Sequence, residues 1–384
     1  GSILAGLGAC AVGLSLAELA SIDPTVGAQF RWSANLAPAA NRFWGLMQGW
    51  ITTAAWCFAS GGPPSILANM ITWLAVFNNP AYEPARWHTS LVMVGTMVLP
   101  FLCNLWFRKF LDAFEVVGGI LHVVLFVVFV AVLAAPGQRS STDYVFRTLT
   151  WDVSGWNNPG VSWGLGLLTV TFFVTGFDSV IHMCDEVKKA QTRVPRSVIL
   201  ACTINSAMLF VSVTVLLFYI GPLEKTSTAS LLIYVVYHAT GSKTAANTLV
   251  SLVAVVIFLA LFNMLASVSR LVLAFAKDNG LPFSSFFSRV QPHFKLPMNA
   301  LMLLVAVVVC LSLVLGAQGI PINLFALAYL VYVVVWMPFP QVLPVTGDNM
   351  NYAGPIFGAV LVGALIHYLA GGREKFRVPV TGYE

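Results

Sequence analysis

An acidic residue lies within a long apolar stretch of the chain. The segment that starts near Val161 runs through Thr175, Gly176 and Phe177 to Asp178, at a depth where a helix would still be crossing a bilayer. A carboxylate there is costly, so it indicates a functional site. Gly176 tolerates non-helical dihedrals and would let the helix open toward a cavity. The predicted chemistry is solute or ion binding inside a membrane. The alternative is a carboxylate near the cytoplasmic interface that is hydrated or paired with a loop cation.

Three further ionisable residues follow Asp178 at helical spacing: His182, Asp185 and Glu186. One histidine with two carboxylates is a weak ligand set for a metal ion. Lysines and arginines follow directly, so a solvated loop with ion pairs is the preferred interpretation, and no metal site is predicted. A role for His182 in a proton relay finds no partner in the sequence.

Polar side chains also occur on another apolar segment, where Asn263, Ser267 and Ser269 precede Arg270. They either line a transport pathway or hold helices together by hydrogen bonds, and the sequence does not choose between these roles.

Aromatic residues recur at helical spacing in an early segment, at Trp44, Trp50 and Trp56. Tryptophan is common in interfacial belts, so packing or anchoring is preferred here over substrate contact.

Composition excludes several classes of protein. Hydrophobic residues make up 58% of the 384 positions and charged residues only 9%, which is typical of a membrane protein. Basic residues sit in short clusters between apolar runs, so nucleic-acid binding is not expected. The sequence contains no phosphate-binding loop, no H-E-x-x-H and no G-x-S-x-G, which argues against ATP-driven transport and against an enzyme. No cofactor is predicted.

The elements that would position these residues are membrane-spanning helices. The lengths of the apolar runs and the charged residues that separate them predict ten spans in one transmembrane domain over 1–384. The predicted spans are 2–20, 43–77, 90–107, 113–135, 162–183, 197–220, 245–269, 298–317, 321–341 and 353–371. The second is too long for one perpendicular helix and holds Gly61-Gly62-Pro63-Pro64, so it is either tilted or broken into a span and an interfacial piece.

Lysine and arginine accumulate in one set of alternate connections, which places that set in the cytoplasm. Ten spans then leave Arg373, Lys375 and Arg377 on the opposite side. This conflict predicts a missing helix, and we expect it at the junction Gln318-Gly319-Ile320, where one apolar run meets the next.

Four motifs carry a family resemblance. They read AELASIDPTVGAQFRW from Ala17, GFDSVIHMCDEVKKAQTRVPRS from Gly176, SVSRLVLAFAKDNGLPFS with HFKLPMNAL from Ser267, and PVTGDNMNYAGPIFG from Pro344. Together they resemble the fungal amino acid/choline/GABA permeases of the amino acid-polyamine-organocation superfamily.

The resemblance implies a fold and a site. The fold would be an all-α, LeuT/APC-type bundle of twelve helices with two inverted repeats, and the site would lie at the midplane between the interrupted first and sixth helices. On this register the first and tenth helices are absent, which leaves ten of twelve spans. Phe172 matches an aromatic lid, Thr175 and Gly176 match the unwound backbone, Asp178 matches a coupling position, and Glu186 matches the acidic residue at the cytoplasmic end.

The sequence therefore predicts a secondary transporter that imports an amino acid, GABA, choline or a polyamine, with a proton as the coupling ion and the lipid bilayer as its surroundings. Substrate contacts are expected from Phe172, Thr175, Gly176, Phe177 and Asn263. The expected membrane is the plasma membrane, with the vacuolar or another internal membrane as the alternative. A truncated, non-transporting membrane partner or sensor is the other hypothesis.

Overall fold

The computed structural model describes residues 1–135, 139–148, 156, 158–220, 230–292, 294, 296–318, 353–372 and 375–376. Within these residues every named element is helical, and the one pairing of extended backbone is a bridge between Gln291 and Leu296. The α-helices are α1 Ser2–Ile22, α2 Ala28–Leu36, α3 Asn41–Ala59, α4 Gly62–Asn78, α5 Arg86–Trp106, α6 Leu111–Ala134, α7 Thr142–Phe146, α8 Pro159–Phe172, α9 Ala190–Tyr219, α10 Leu231–Thr240, α11 Lys243–Lys277, α12 Ser284–Phe287, α13 Met298–Gln318 and α14 Ala353–His367. Short 3-10 turns cover Pro38–Ala40 and Arg108–Phe110, a longer 3-10 helix covers Phe177–Glu186, and a π-helix covers Tyr368–Gly372.

Six helical segments of the described chain are long and apolar enough to cross a membrane. They are α1, α5, α6, α9, α11 and the stretch Pro159–Glu186. On α6 many valine and isoleucine side chains, such as Val116, Ile120 and Val127, are exposed. Exposed apolar residues over a whole helix surface require lipid rather than water. The prediction of an all-α, multi-pass membrane protein is confirmed.

The long second span is interrupted in its middle. Helix α3 ends at Ala59 and α4 begins at Gly62, and the two residues between them, Ser60 and Gly61, keep right-handed helical dihedrals. Pro63 and Pro64 have no N–H to donate to the preceding turn, which accounts for the interruption.

Helices α1 and α9 form the most extensive helix pair described. Their backbones approach closely because small residues face each other: a Cβ added to Gly13 would lie 2.5 Å from Cys202 Sγ, and one added to Gly6 would lie 2.9 Å from Ser206 Cβ. Small residues at such crossings are typical of membrane helices. Helix α8 and the 3-10 helix Phe177–Glu186 pack on the same pair.

A second group of helices packs beside the first. Helices α4, α5, α11 and α13 contact one another around a core that includes Met93, Met97, Leu265 and Leu304. Helix α11 also contacts the 3-10 helix Phe177–Glu186, so the two groups meet along this segment. The acidic residues singled out in the sequence lie at that junction.

Four of the described α-helices were not predicted: α2, α7, α10 and α12. Helix α2 follows α1 within a segment assigned to a connection, and α10 lies between the predicted spans 197–220 and 245–269. All four are short, and α2 has no apolar run that would suggest a helix. The predicted span 321–341 and the residues Gly319 and Ile320 of the predicted junction lie outside the described residues.

Candidate functional site

The helix that carries the candidate site is interrupted at the predicted place. Helix α8 ends at Phe172, and Gly176 adopts a left-handed conformation with φ of 83°. The Thr175 hydroxyl donates to the Phe172 carbonyl over 2.8 Å and caps the broken end. Ten residues of 3-10 helix follow, from Phe177 to Glu186. Runs of 3-10 helix this long are uncommon and often mark a functional hinge.

Replacing Gly176 with Ala should destabilise the protein by about 1–2 kcal/mol, because an L side chain is strained at this positive φ. The space itself is open: an added Cβ would meet its nearest atom, Trp56 Cη2, at 3.6 Å. The matched control is Gly166→Ala, at an exposed helical position of α8 with no atom within 4 Å of an added Cβ. Thermal unfolding in detergent measures the difference; equal stability of the two variants would contradict the strain argument.

Asp178 is held through one of its two oxygens. Its Oδ2 accepts a hydrogen bond from Gln29 Nε2 over 2.8 Å and one from Trp56 Nε1 over 3.3 Å. His182 Nε2 lies 3.9 Å from the same oxygen, which is close enough for an ion pair but too far for a hydrogen bond. The side chain is 18% exposed, and none of the described lysines or arginines forms an ion pair with it. The structure therefore differs from the alternative of a carboxylate paired with a loop cation.

Gln29 reaches Asp178 because α2 folds back against the 3-10 helix. Asp23, just after α1, pairs with Arg31 on α2 at 3.3 Å and accepts a hydrogen bond at its carbonyl from Trp32 Nε1 over 2.9 Å. Trp32 is buried in the apolar cluster that also contains Ile181 of the 3-10 helix. These contacts fix α2 beneath Asp178 and aim Gln29 at it.

Glu186 and Arg270 form a bidentate ion pair. Arg270 Nε donates to Oε1 over 2.6 Å and Nη2 donates to Oε2 over 3.0 Å, while Nη1 donates to the Ala266 carbonyl. Such bidentate pairs are the strong kind. Arg270 is buried, with 7% of its surface exposed. The predicted ion pairing of Glu186 is present, but its partner comes from α11 and not from the basic loop that follows it.

A cavity of about 380 Å³ lies beside the segment from His182 to Glu186. We call it the cytoplasmic cavity, after the orientation that the lysine and arginine distribution predicts. Its wall includes Arg31 of α2, His182 of the 3-10 helix, the Glu186–Arg270 pair and Asp278 at the end of α11. Both signs of charge are present, so the cavity is suited to water and to ions.

Asp278 lies just beyond the α11 span. Burial raises the pKa of its carboxyl from 3.8 to about 6, against the opposing effect of Arg31 and Lys277. The unfolded chain has the lower pKa, so the contribution of Asp278 to stability is full below about pH 4 and is lost as pH rises toward 6.

Asp278→Asn should therefore be more stable than the wild type at pH 7, by up to about 1 kcal/mol once the partial exposure of the group is taken into account. The advantage should shrink as the pH falls from 6 toward 4. Thermal unfolding across this pH range measures it, and Asp185→Asn, a nearby exposed carboxylate, is the control. A difference between variant and wild type that does not change with pH would contradict the prediction.

Asn263 lies one helical turn before Ser267 on α11. The Ser267 hydroxyl donates to the Ser179 carbonyl over 2.7 Å, which joins α11 to the 3-10 helix. The Oδ1 of Asn263 is buried without a hydrogen-bond partner, as are Thr53 Oγ1 and Gln29 Oε1. Buried polar atoms are normally paired, so these atoms need an explanation.

The remaining predicted residues lie on the two sides of the helix break. Phe172 is half-buried and its ring meets that of Phe173 edge to face at 5.7 Å. Phe177 packs against the apolar cluster that includes Ala17 of α1 and Cys202 of α9. No group of three or more potential metal ligands occurs among the residues that the structure describes.

The sequence analysis assigned no role at Asp178 or Glu186 to three residues: Gln29, Trp56 and Arg270. Trp56 does more than pack, since its indole N–H binds Asp178 and its ring lies 6.0 Å from that of His182, edge to face. Arg270 offered a signal, because a cation that directly follows an apolar span requires a partner. Gln29 offered none.

Comparisons with known proteins agree with this architecture. A family model described as amino acid permease matches residues 1–319. The choline transporter of Saccharomyces cerevisiae is 26% identical, over 98% of this chain and 75% of its own length. A putative amino acid/polyamine transporter of Macrophomina phaseolina is 26% identical over 90% and 88%, and amino-acid permease 2 of Neurospora crassa is 23% identical over 99% and 79%.

The alignment with the choline transporter extends over 435 positions, more than the 384 residues of this chain. The relative thus has internal segments that this chain lacks. The predicted absence of the tenth helix stays a prediction, because its expected position is not fixed by this alignment. The match of the family model over most of the chain and the helical membrane fold lead to one conclusion: this chain belongs to the amino acid permease family of the amino acid-polyamine-organocation superfamily.

Proposed function

We propose that this chain transports a small nitrogenous solute across a membrane by alternating access, driven by protons. The observation that carries the proposal is the interrupted helix of a permease fold with a partly buried carboxylate, Asp178, directly after the break. Broken helices at membrane depth expose backbone groups that bind solutes and coupling ions. Transport needs no covalent step, and the sequence contains no catalytic motif that would suggest one.

The proposed solute is an amino acid, GABA, choline or a polyamine. Relatives are named as choline, amino acid and amino acid/polyamine transporters. The solutes in these names share one chemical feature, a nitrogen that is cationic at neutral pH. In this chain the buried oxygens of Asn263 and Thr53 have no described hydrogen-bond partner, so they can accept hydrogen bonds from such a solute.

The helix break supplies the rest of the proposed binding site. The backbone around Thr175 and Gly176 would contact the polar end of the solute, and Phe172, with Phe177 beside it, would close over the solute. Support comes from the αL conformation at Gly176, which frees this stretch from regular helical hydrogen bonding.

Asp178 is proposed to carry the coupling proton. Its two hydrogen-bond donors, Gln29 and Trp56, are neutral, so they orient the carboxylate without cancelling its charge. A charge in this position is costly in a membrane, and a proton removes the cost. Binding of the proton and binding of the solute can therefore depend on each other.

The Glu186–Arg270 pair is proposed as the cytoplasmic gate. It joins the 3-10 helix to α11 at the wall of the cytoplasmic cavity. Opening toward the cytoplasm would separate these two elements and break the pair.

Uptake by proteoliposomes that contain the purified chain alone tests the proposal. Labelled choline, GABA, spermidine and each amino acid are offered with the outside at pH 5.5 and the inside at pH 7.5. We expect uptake of at least one of them above empty vesicles, and a protonophore should reduce it. A chain that inserts correctly but takes up none of them would overturn the proposal and favour the non-transporting membrane partner or sensor.

A further inference from the structure

A proton taken up by Asp178 needs a route to the cytoplasm, and one buried side chain lies between Asp178 and the cytoplasmic cavity. This side chain is His182, which is fully buried. Its Nε2 lies 3.9 Å from Asp178 Oδ2, and the residue contributes to the wall of the cavity that also includes Glu186 and Arg270. His182 thus adjoins both the carboxylate and the cavity.

The hydrogen bonding of His182 fixes which nitrogen is able to accept a proton. Nδ1 lies 2.9 Å from the Val26 carbonyl oxygen. A carbonyl only accepts, so Nδ1 carries the hydrogen and the neutral ring has its lone pair on Nε2. Nε2 is buried and has no hydrogen-bond partner. A movement of about 1 Å would bring it within hydrogen-bond distance of Asp178.

We propose that His182 relays the coupling proton from Asp178 to the cytoplasmic cavity. The O–H bond of protonated Asp178 breaks as an N–H bond forms at Nε2, which leaves a carboxylate and an imidazolium. The imidazolium ring then turns Nε2 toward the cavity, gives the same proton to water there and returns as the neutral ring. This inference rests on the proposed function, since it assigns a path to the proton of the same transport cycle.

Asp178 opposes the cost of a temporary positive charge on the buried ring of His182. The ionisable groups on its helix and on the elements packed around that helix are Asp178, Asp185 and Glu186 of the 3-10 helix itself, Arg270, Lys277 and Asp278 of α11 and its end, Asp23 and Arg31 beside α2, and the thiols of Cys10 on α1 and Cys202 on α9. Glu186 is paired with Arg270 and Asp23 with Arg31. Asp178 is therefore the carboxylate that faces Nε2 without a described lysine or arginine partner.

The test is His182→Asn in proteoliposomes. The Asn amide can still donate to the Val26 carbonyl in place of Nδ1, but it cannot carry a proton. The solute is labelled choline, or each other solute that passes the uptake screen. The first readout is net uptake of that solute together with proton entry, which a trapped pH dye reports. The second is exchange of the solute between equal pools without a pH gradient. His238→Asn, at an exposed position on α10, is the matched control.

We expect net uptake and proton entry to fall at least about tenfold in His182→Asn, because losses of this size or more are typical when a group that transfers a proton is removed. Exchange should stay within about twofold of wild type, as it does not require release of the proton. Retention of net uptake and proton entry would overturn the relay, and so would equal loss of net uptake and exchange, which indicates a structural role. Wild-type uptake without proton entry would overturn the relay but leave solute transport standing. No uptake by the wild type would overturn the proposed function as well.

Discussion

Asp178→Asn should abolish uptake driven by a pH gradient, with a loss of roughly 100-fold or more, the size typical when a proton-carrying group is removed. The amide oxygen can still accept the hydrogen bonds that Gln29 and Trp56 donate, so the fold should be kept. The amide binds no proton near neutral pH, and any uptake that is left should no longer depend on pH. Labelled uptake between pH 5 and 8 measures both effects.

Two variants serve as controls for this prediction. Asp178→Glu retains the carboxylate and should keep a pH-dependent fraction of uptake. Asp185→Asn removes a charge seven residues further along the same helix, at an exposed position, and should leave uptake within about twofold, as surface changes usually do. If Asp178→Asn kept both the rate and the pH dependence of wild type, the coupling role of Asp178 would be wrong.

The second large effect is expected at the Glu186–Arg270 pair. Glu186→Gln should destabilise the protein by about 2–3 kcal/mol, because it leaves the buried guanidinium of Arg270 without its counter-charge. The effect lies below that of a fully buried pair, since 43% of the Glu186 side chain is exposed. Arg270→Met alone should cost less, because the carboxylate left behind can be hydrated.

The double variant gives the sharper result. Glu186→Gln combined with Arg270→Met removes both charges, so its stability should be closer to wild type than the sum of the single changes indicates. Thermal unfolding of the four proteins in detergent measures the coupling between the two residues. Additive losses would show that the pair does not hold the 3-10 helix to α11.

Local features of the site could be predicted from the sequence. A glycine next to an acidic residue in an apolar run indicated the helix break, and Gly176 has the left-handed conformation that only glycine adopts without strain. The membrane fold followed from apolar length alone, because a bilayer imposes that length on a helix.

Contacts between distant parts of the chain could not be predicted. Gln29 lies 149 residues from Asp178 and Trp56 lies 122 residues from it, and no periodicity connects such positions. Both depend on how α2 and α3 pack against the 3-10 helix. The interruption between α3 and α4 lies beside the Gly-Pro stretch, but whether the long span would tilt or break depended on dihedrals at Ser60 and Gly61 that the sequence does not determine.

The most direct test of the account measures solute and proton together in proteoliposomes that contain the wild-type chain. Labelled solute and a trapped pH dye are followed in the same vesicles with an acid outside. We predict that solute uptake and internal acidification rise together in a constant ratio, and that both are lost in Asp178→Asn. Solute uptake without acidification, or acidification that persists in Asp178→Asn, would contradict the account.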